Sequence, residues 1–243
     1  MKTQLVLLTG TLPPKYELDL LRTLGLDSTR PKIYRNSALR ANIRYKVLLN
    51  IRNEKALSLI KEKDDFYPTS RILIYTRTIQ QAKELGRVLN YSTYYSKSPG
   101  KERVLSSFLE GKILRLVSTS SLSYGLDVPD IRVVFHLDLP YRLYDYAQET
   151  GRAGRDGRPS EAILLLSSNP SSFSTQLGPR PSKVEIFENS VIQRYILDSC
   201  RRATFSSYLD GGEEEKCGPS NVPYDFCLRE DDGRSPILIL LLF

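Results

Sequence analysis

The stretch Arg71-Ile-Leu-Ile-Tyr-Thr-Arg-Thr-Ile-Gln-Gln-Ala-Lys-Glu-Leu-Gly-Arg-Val-Leu89 contains two periodicities in succession. Arg71–Tyr75 is an unbroken β-rich run of the length of a buried strand. Ile79, Ala82, Leu85 and Leu89 then recur three or four apart, which places them on one face of a helix. The same unit continues on either side. Tyr45–Asn50, Ser92–Tyr95, Leu114–Ser118, Val133–Leu137 and Ala162–Leu166 read as strands, as does Leu5–Leu8 near the N-terminus. Val104, Leu105, Phe108 and Leu109 mark a further helical face. Strands alternating with helices predict an α/β fold, a parallel sheet covered by helices on both faces. Right-handed crossovers would gather the loops after the strands on one edge, where open α/β sheets bind ligands.

No internal repeat is present. Ser167–Pro181 is rich in Ser, Pro and Gly and reads as a linker out of the sheet. Beyond it, Val184–Leu209 has the character of a small helical appendage, and Gly211–Asp232 reads as an acidic, solvated segment. The net charge of +7 is unevenly spread, because residues 210–234 hold eight acids against three bases. The preceding body is therefore strongly basic, which suits either a polyanionic partner or an ordinary basic surface. No stretch near the N-terminus has the form of a signal peptide. The apolar tail Ile237–Phe243 is far shorter than the about 20 residues a membrane span needs. A soluble, intracellular protein is expected, and three cysteines fit a reducing compartment better than a disulfide framework. The single histidine, His136, falls inside a predicted strand and is expected at the core edge rather than as a catalytic base.

The densest chemical signal is Tyr146-Ala-Gln-Glu-Thr-Gly-Arg-Ala-Gly-Arg-Asp-Gly157. A helix running on from Leu143 would align Gln148, Arg152 and Arg155 on one face. Two arginines beside glycines can approach an anion closely and stabilise charge on a transferring phosphoryl group. A surface helix whose arginines pair with Glu149 and Asp156 would carry the same letters. No Gly-x-x-x-x-Gly-Lys-Ser/Thr occurs in the 243 residues, and no Asp-Glu-x-His or Asp-Glu-x-Asp box.

That string resembles motif VI of superfamily 2 helicases, in the form found in RecQ-type DNA helicases. Three further stretches are similar to the family's motifs, in family order. Leu8-Thr-Gly-Thr-Leu-Pro-Pro14 is similar to motif III, Arg71-Ile-Leu-Ile-Tyr-Thr-Arg77 to motif IV, and Val117-Ser-Thr-Ser-Ser-Leu-Ser-Tyr-Gly-Leu-Asp-Val-Pro129 to motif V. The resemblance implies a RecA-like helicase C-terminal domain and an ATP-dependent DNA helicase of 3'-5' polarity, using ATP and Mg²⁺. It implies that Arg152 and Arg155 are the finger residues, and that Gln148, Asp127 and Gly125 belong to the nucleotide site. Thr119 and Arg77 would contact nucleic acid. Asp127 also suits a plain turn before Val128-Pro129. Motif V departs from the family at Ser118 and Ser120–Leu122, and Tyr94-Tyr-Ser-Lys-Ser98 replaces a usual Tyr-His-Ala-Gly-Leu.

The resemblance extends into the cysteines. RecQ-type helicases carry a zinc-binding helical subdomain after the motor. Here Cys200-Arg-Arg is followed by Cys217 and then by Tyr224-Asp-Phe-Cys227, with Tyr224 in place of a ligand. A structural zinc wants four donors, so Cys200, Cys217 and Cys227 are expected to hold it poorly, with Asp225 or water as a weak fourth. The implied division is residues 1–14 as the remnant of a first RecA-like domain and 15–168 as the second. A linker then spans 169–181, a degenerate zinc-binding-like subdomain 182–230 and a tail 231–243. The motif III stretch and the cysteine pattern resemble those of fungal multi-copy helicases. A truncated nuclear helicase is expected, acting on single-stranded or forked DNA and requiring a P-loop domain in trans. Its alternatives are a non-catalytic nucleic-acid-binding module or a gene remnant.

Overall fold

The computed structural model describes residues 5–26, 31–122, 126–167, 181–197 and 200–212, together with Cys217, Asp225 and Cys227. Six strands form one sheet: β1 (Ile43–Leu48), β2 (Arg71–Thr76), β3 (Ser92–Tyr94), β4 (Arg115–Ser118), β5 (Ile131–Leu137) and β6 (Ser160–Leu165). Their order is β1-β6-β5-β2-β4-β3, with every pairing parallel. The helices are α1 (Glu17–Thr23), α2 (Asn53–Phe66), α3 (Ile79–Leu89), α4 (Lys101–Leu109), α5 (Leu143–Thr150), α6 (Lys183–Leu197) and α7 (Arg201–Phe205). α7 runs on into a single wide turn, Ser206–Asp210.

The central strand β2 is buried along its whole length and its side chains alternate between two cores. Ile72 and Ile74 pack with Ala56 and Ile60 of α2 and Ala82 and Leu89 of α3. Leu73 and Tyr75 pack with Phe108 of α4, Leu143 and Tyr146 of α5, and Tyr195 and Phe205 of α6 and α7. Helices thus cover both faces, and each fully buried Leu, Ile or Phe contributes roughly 1.5–3 kcal/mol. α3 begins where it does because Thr78 and Gln81 form a reciprocal cap. Thr78 Oγ1 accepts from Gln81 N at 3.1 Å, and Gln81 Oε1 accepts from Thr78 N at 3.1 Å.

Two expectations need correction. Leu5–Leu8 is not a strand: no described strand pairs with it, and Leu8 is 93% exposed. A β-rich apolar run becomes a strand only where a sheet edge receives it. The helix from Leu143 stops at Thr150 instead of running on to Arg155, because Gly151, Gly154 and Gly157 weaken helical continuation and the last two take positive φ.

The helical appendage shares the sheet's core. Tyr146 of α5 lies 5.5 Å from Tyr195 and 6.1 Å from Phe205, measured between ring centroids. The N-terminal segment docks onto the same helices. Tyr16 and Tyr208 both donate to the buried Glu188 of α6, Arg35 Nη1 donates to Leu209 O at 2.7 Å, and Asp210 accepts from Ala38 N at 2.9 Å. The expected linker, at 169–181, and tail fall almost wholly outside the described residues. No described helix is long and apolar enough to cross a membrane.

Candidate functional site

The loop after α5, residues 151–157, lies beside the start of β5. Gly154 N donates to Ile131 O at 2.9 Å, and its φ of +56° would strain any other residue. An added Cβ would also meet Asn42 Nδ2 at 2.5 Å and Arg158 O at 2.8 Å. Three side chains hold the loop from outside. Arg40 Nη2 donates to Gly154 O at 2.6 Å, Asn42 Nδ2 to Gly154 O at 2.8 Å, and Arg132, 6% exposed, to Ser160 Oγ at 2.9 Å and to Asp156. Arg132 holds the Asp156 carboxylate below its ordinary range. None of the three supports lies in the motif that the sequence flags.

This loop separates the two expected finger arginines. Arg152 is buried and donates through Nη1 to Leu126 O at 2.9 Å, tying the loop to the segment that precedes Asp127. Arg155 is one-third exposed and pairs with Asp127, whose carboxylate is largely in solvent. They do not share a helical face. Asp127 meets the arginine motif directly, through Arg155. Asp156 pairs with Arg132, and Glu149 Oε2 receives His136 Nε2–H at 2.8 Å.

Gln148 projects between two clefts. Its Nε2 donates to Thr11 Oγ1 at 2.6 Å, joining the arginine motif to Leu8–Pro14. On one side is a cleft of about 340 Å³ bordered by Thr9, Thr11, Tyr16 and Arg142. On the other is a cleft of about 250 Å³ at the carboxyl ends of β2 and β5, bordered by Arg77, His136, Asp138, Tyr141 and Asp145. Burial, with the Glu149 charge next, pushes the Asp145 carboxyl up to about 6. Thr119 is buried, and its hydroxyl lies 2.9 Å from Ser121 Oγ. Gly125 lies outside the described residues.

The ligating atoms of Cys200, Cys217 and Cys227 all lie within 4.8 Å of one another, and the Cys200 and Cys217 sulfurs are 3.5 Å apart. Burial, with the neighbouring Cys200 and Cys217 sulfurs next, pushes the Cys227 thiol up. Asp225 is not part of this cluster. Its carboxylate accepts from Val47 N at 2.9 Å and from Arg201 Nε at 3.2 Å. The described residues therefore offer three of the four donors a structural zinc needs. Tyr224 lies outside the described residues.

Residues 52–157 match the family described as helicase conserved C-terminal domain. The chain is 25% identical to the RecQ-like DNA helicase blm-1 of Caenorhabditis elegans over 93% of its own length and 24% of the relative's. It is 27% identical to the ATP-dependent DNA helicase RecQ of Pasteurella multocida over 90% of its length and 36% of the relative's. The chain thus spans well under half of either protein. In fold alone it is similar to S. cerevisiae Dbp5 bound to RNA and ADP BeF3, with a TM-score of 0.53 and 20% identity over 74% of this chain and 47% of that one. The arginine loop and the segment of Leu126 and Asp127 that it meets both lie within the residues that match the helicase C-terminal model. The two relatives above, similar along nearly all of the chain, are RecQ-type DNA helicases.

Proposed function

We propose that the chain is the arginine-bearing wall of an ATP-driven DNA motor of the RecQ type, and that these 243 residues alone do not turn over ATP. The observation that carries this reading is the division of labour between the two arginines. Arg152 spends its guanidinium inside the domain, on the Leu126 carbonyl. Arg155 stays within reach of solvent beside Asp127, so it is the residue that extends to a phosphoryl group held by another domain. Arg152 is then a positioning residue. Gln148, bonded to Thr11, relays the state of the motif III segment, and Asp127 and Gly125 are assigned to nucleotide binding. Thr119 and Arg77 belong to the nucleic-acid side, although the Thr119 hydroxyl must leave Ser121 to reach a phosphate.

ATP and Mg²⁺ need a P-loop and an acidic box, and the sequence has neither. A P-loop domain in trans, or elsewhere in a longer protein, completes the site. The substrate in this reading is single-stranded or forked DNA in the nucleus, attracted by the basic body. Zinc is held weakly by three thiols.

Turnover with and without single-stranded DNA tests the proposal. The chain alone is expected to show none, and mixing it with a RecQ-type P-loop domain is expected to give DNA-stimulated turnover that Arg155→Ala abolishes. Hydrolysis by the chain alone that is lost in Arg155→Ala would overturn the reading. DNA affinity should also fall steeply between about 50 and 200 mM salt, as phosphate contacts demand.

A further inference from the structure

The cleft at the carboxyl ends of β2 and β5 has a composition that the motor chemistry does not use. At its mouth Tyr141 is 63% exposed, with the Arg77 guanidinium 4.8 Å from its ring centroid. One face of the ring is covered by a cation, and the exposure leaves the ring open to a second planar group. Inside are the carboxylates of Asp138, Asp145 and Glu149, and Arg77 is the one cationic side chain among the described lining residues. Phosphate is excluded from such an interior by charge. At the floor His136 is 4% exposed, packs its ring against Tyr75 and Tyr146, and gives Nε2–H to Glu149. Asp138, held at φ +82°, already accepts from Gln81 Nε2 at 3.1 Å, and a carboxylate keeps further acceptor capacity. The cleft therefore presents acceptors, a stacking ring and a single cation at the rim.

We propose that this cleft is a subsite for one unstacked base of a single strand, a base carrying an exocyclic amino group. The base stacks at Tyr141, its amino donors face the carboxylates of Asp138 and Asp145, and the adjoining phosphate stays outside beside Arg77. Cytosine and adenine supply such an amino group, whereas thymine offers a carbonyl oxygen at the same position. Aromatic stacking supplies the part of the affinity that does not depend on salt. The inference rests on the reading above that the domain grips single-stranded DNA, and it adds a base preference to a grip made otherwise through phosphates.

The test is fluorescence anisotropy of labelled oligo(dC), oligo(dA) and oligo(dT) of equal length, at one salt concentration and then across a salt series. The expected result is tighter binding of oligo(dC) and oligo(dA) than of oligo(dT). Tyr141→Ala should weaken oligo(dC) binding roughly 5- to 100-fold with an unchanged salt slope, and Tyr141→Phe should retain it. Asp145→Asn should narrow the gap between oligo(dC) and oligo(dT), and Arg77→Gln should flatten the salt slope. Free dCMP should bind far more weakly than oligo(dC). If dCMP binds as tightly, the cleft is a mononucleotide site and the strand assignment is overturned. Salt-dependent binding with no base preference and no Tyr141→Ala effect overturns the subsite alone. Absence of binding by the parent chain to any oligonucleotide overturns the nucleic-acid reading with it.

Discussion

The loop of residues 151–157 and the cysteine cluster answer the same structural demand, fixing a few chemically competent groups, by opposite means. The loop draws its order from the sheet. Its backbone carbonyls are held by Arg40 and Asn42, its acid by Arg132, and its one buried arginine by the Leu126 carbonyl. Arg155 can then remain exposed without losing its position. Of the cysteines, Cys200 is anchored in the core at the start of α7 and the ligating atoms of all three lie within 4.8 Å of one another, while the nearby carboxylate of Asp225 is committed to Val47 and Arg201. A site fixed by long-range backbone contacts tolerates drift in the motif's neighbours. A site whose ligands hold each other depends on every one of them.

The strongest challenge to the loop's side of this contrast is Gly154→Ala. A side chain there combines a left-handed backbone with close contacts to Asn42 and the Arg158 carbonyl. Urea unfolding is expected to show a loss of about 3 kcal/mol. A change near zero would mean that the loop is less tightly held than its contacts indicate.

On the cysteine side, Tyr224→Cys should raise zinc content toward one ion per chain, read by metal analysis of the two purified proteins. A phenol gives up its proton far less readily than a thiol, so the parent should lose its metal to a mild chelator and the variant should keep it. One tightly held zinc in the parent would show that three sulfurs and an unlike fourth donor suffice.

The two regions also differ in how far the sequence revealed them. All six strands lie close to their predicted positions, because a buried parallel strand is a continuous β-rich run whatever surrounds it. Leu5–Leu8 has the same composition but no described sheet edge beside it, and composition carries no information about partners. The arginine motif was legible as letters, but its geometry was not. The glycines that end α5 were visible, yet the supports from Arg40, Asn42 and Arg132 come from distant strands and loops. The His136–Glu149 pair joins β5 to α5 through the fold alone. For the cysteines, convergence was implied by the resemblance to a zinc-binding subdomain rather than by any physical pattern, and the three ligating atoms do lie within 4.8 Å of one another.

Asp145 gives a smaller test on the loop's own helix. Burial, the neighbouring Glu149 and Glu188 raise its carboxyl to about 6 against an opposing Arg142, from an ordinary 3.8. Because the folded protein binds this proton more tightly than the unfolded chain, the carboxyl costs stability once pH rises through the folded value. That cost is absent below the unfolded value. Asp145→Asn should therefore stabilise the domain by about 1 kcal/mol near neutral pH, a figure reduced for partial solvent exposure. The gain should vanish as the pH falls toward about 4. A gain that persists in acid would assign the effect to packing.

The smallest expected effect is on stability in Arg155→Ala. Arg155 and Asp127 form a pair whose side chains are 34% and 87% exposed, so water screens their attraction and ordering two side chains offsets much of the rest. Unfolding free energy should change by less than about 0.5 kcal/mol. Arg152→Ala should cost several times more, because it removes a buried guanidinium and leaves the Leu126 carbonyl without that donor. The ratio matters more than either value. If the exposed arginine serves a partner domain, its removal must spare the fold and eliminate turnover in the reconstituted motor. If both variants destabilise equally, Arg155 is a strut like Arg152, and the loop presents no free cation to a phosphoryl group.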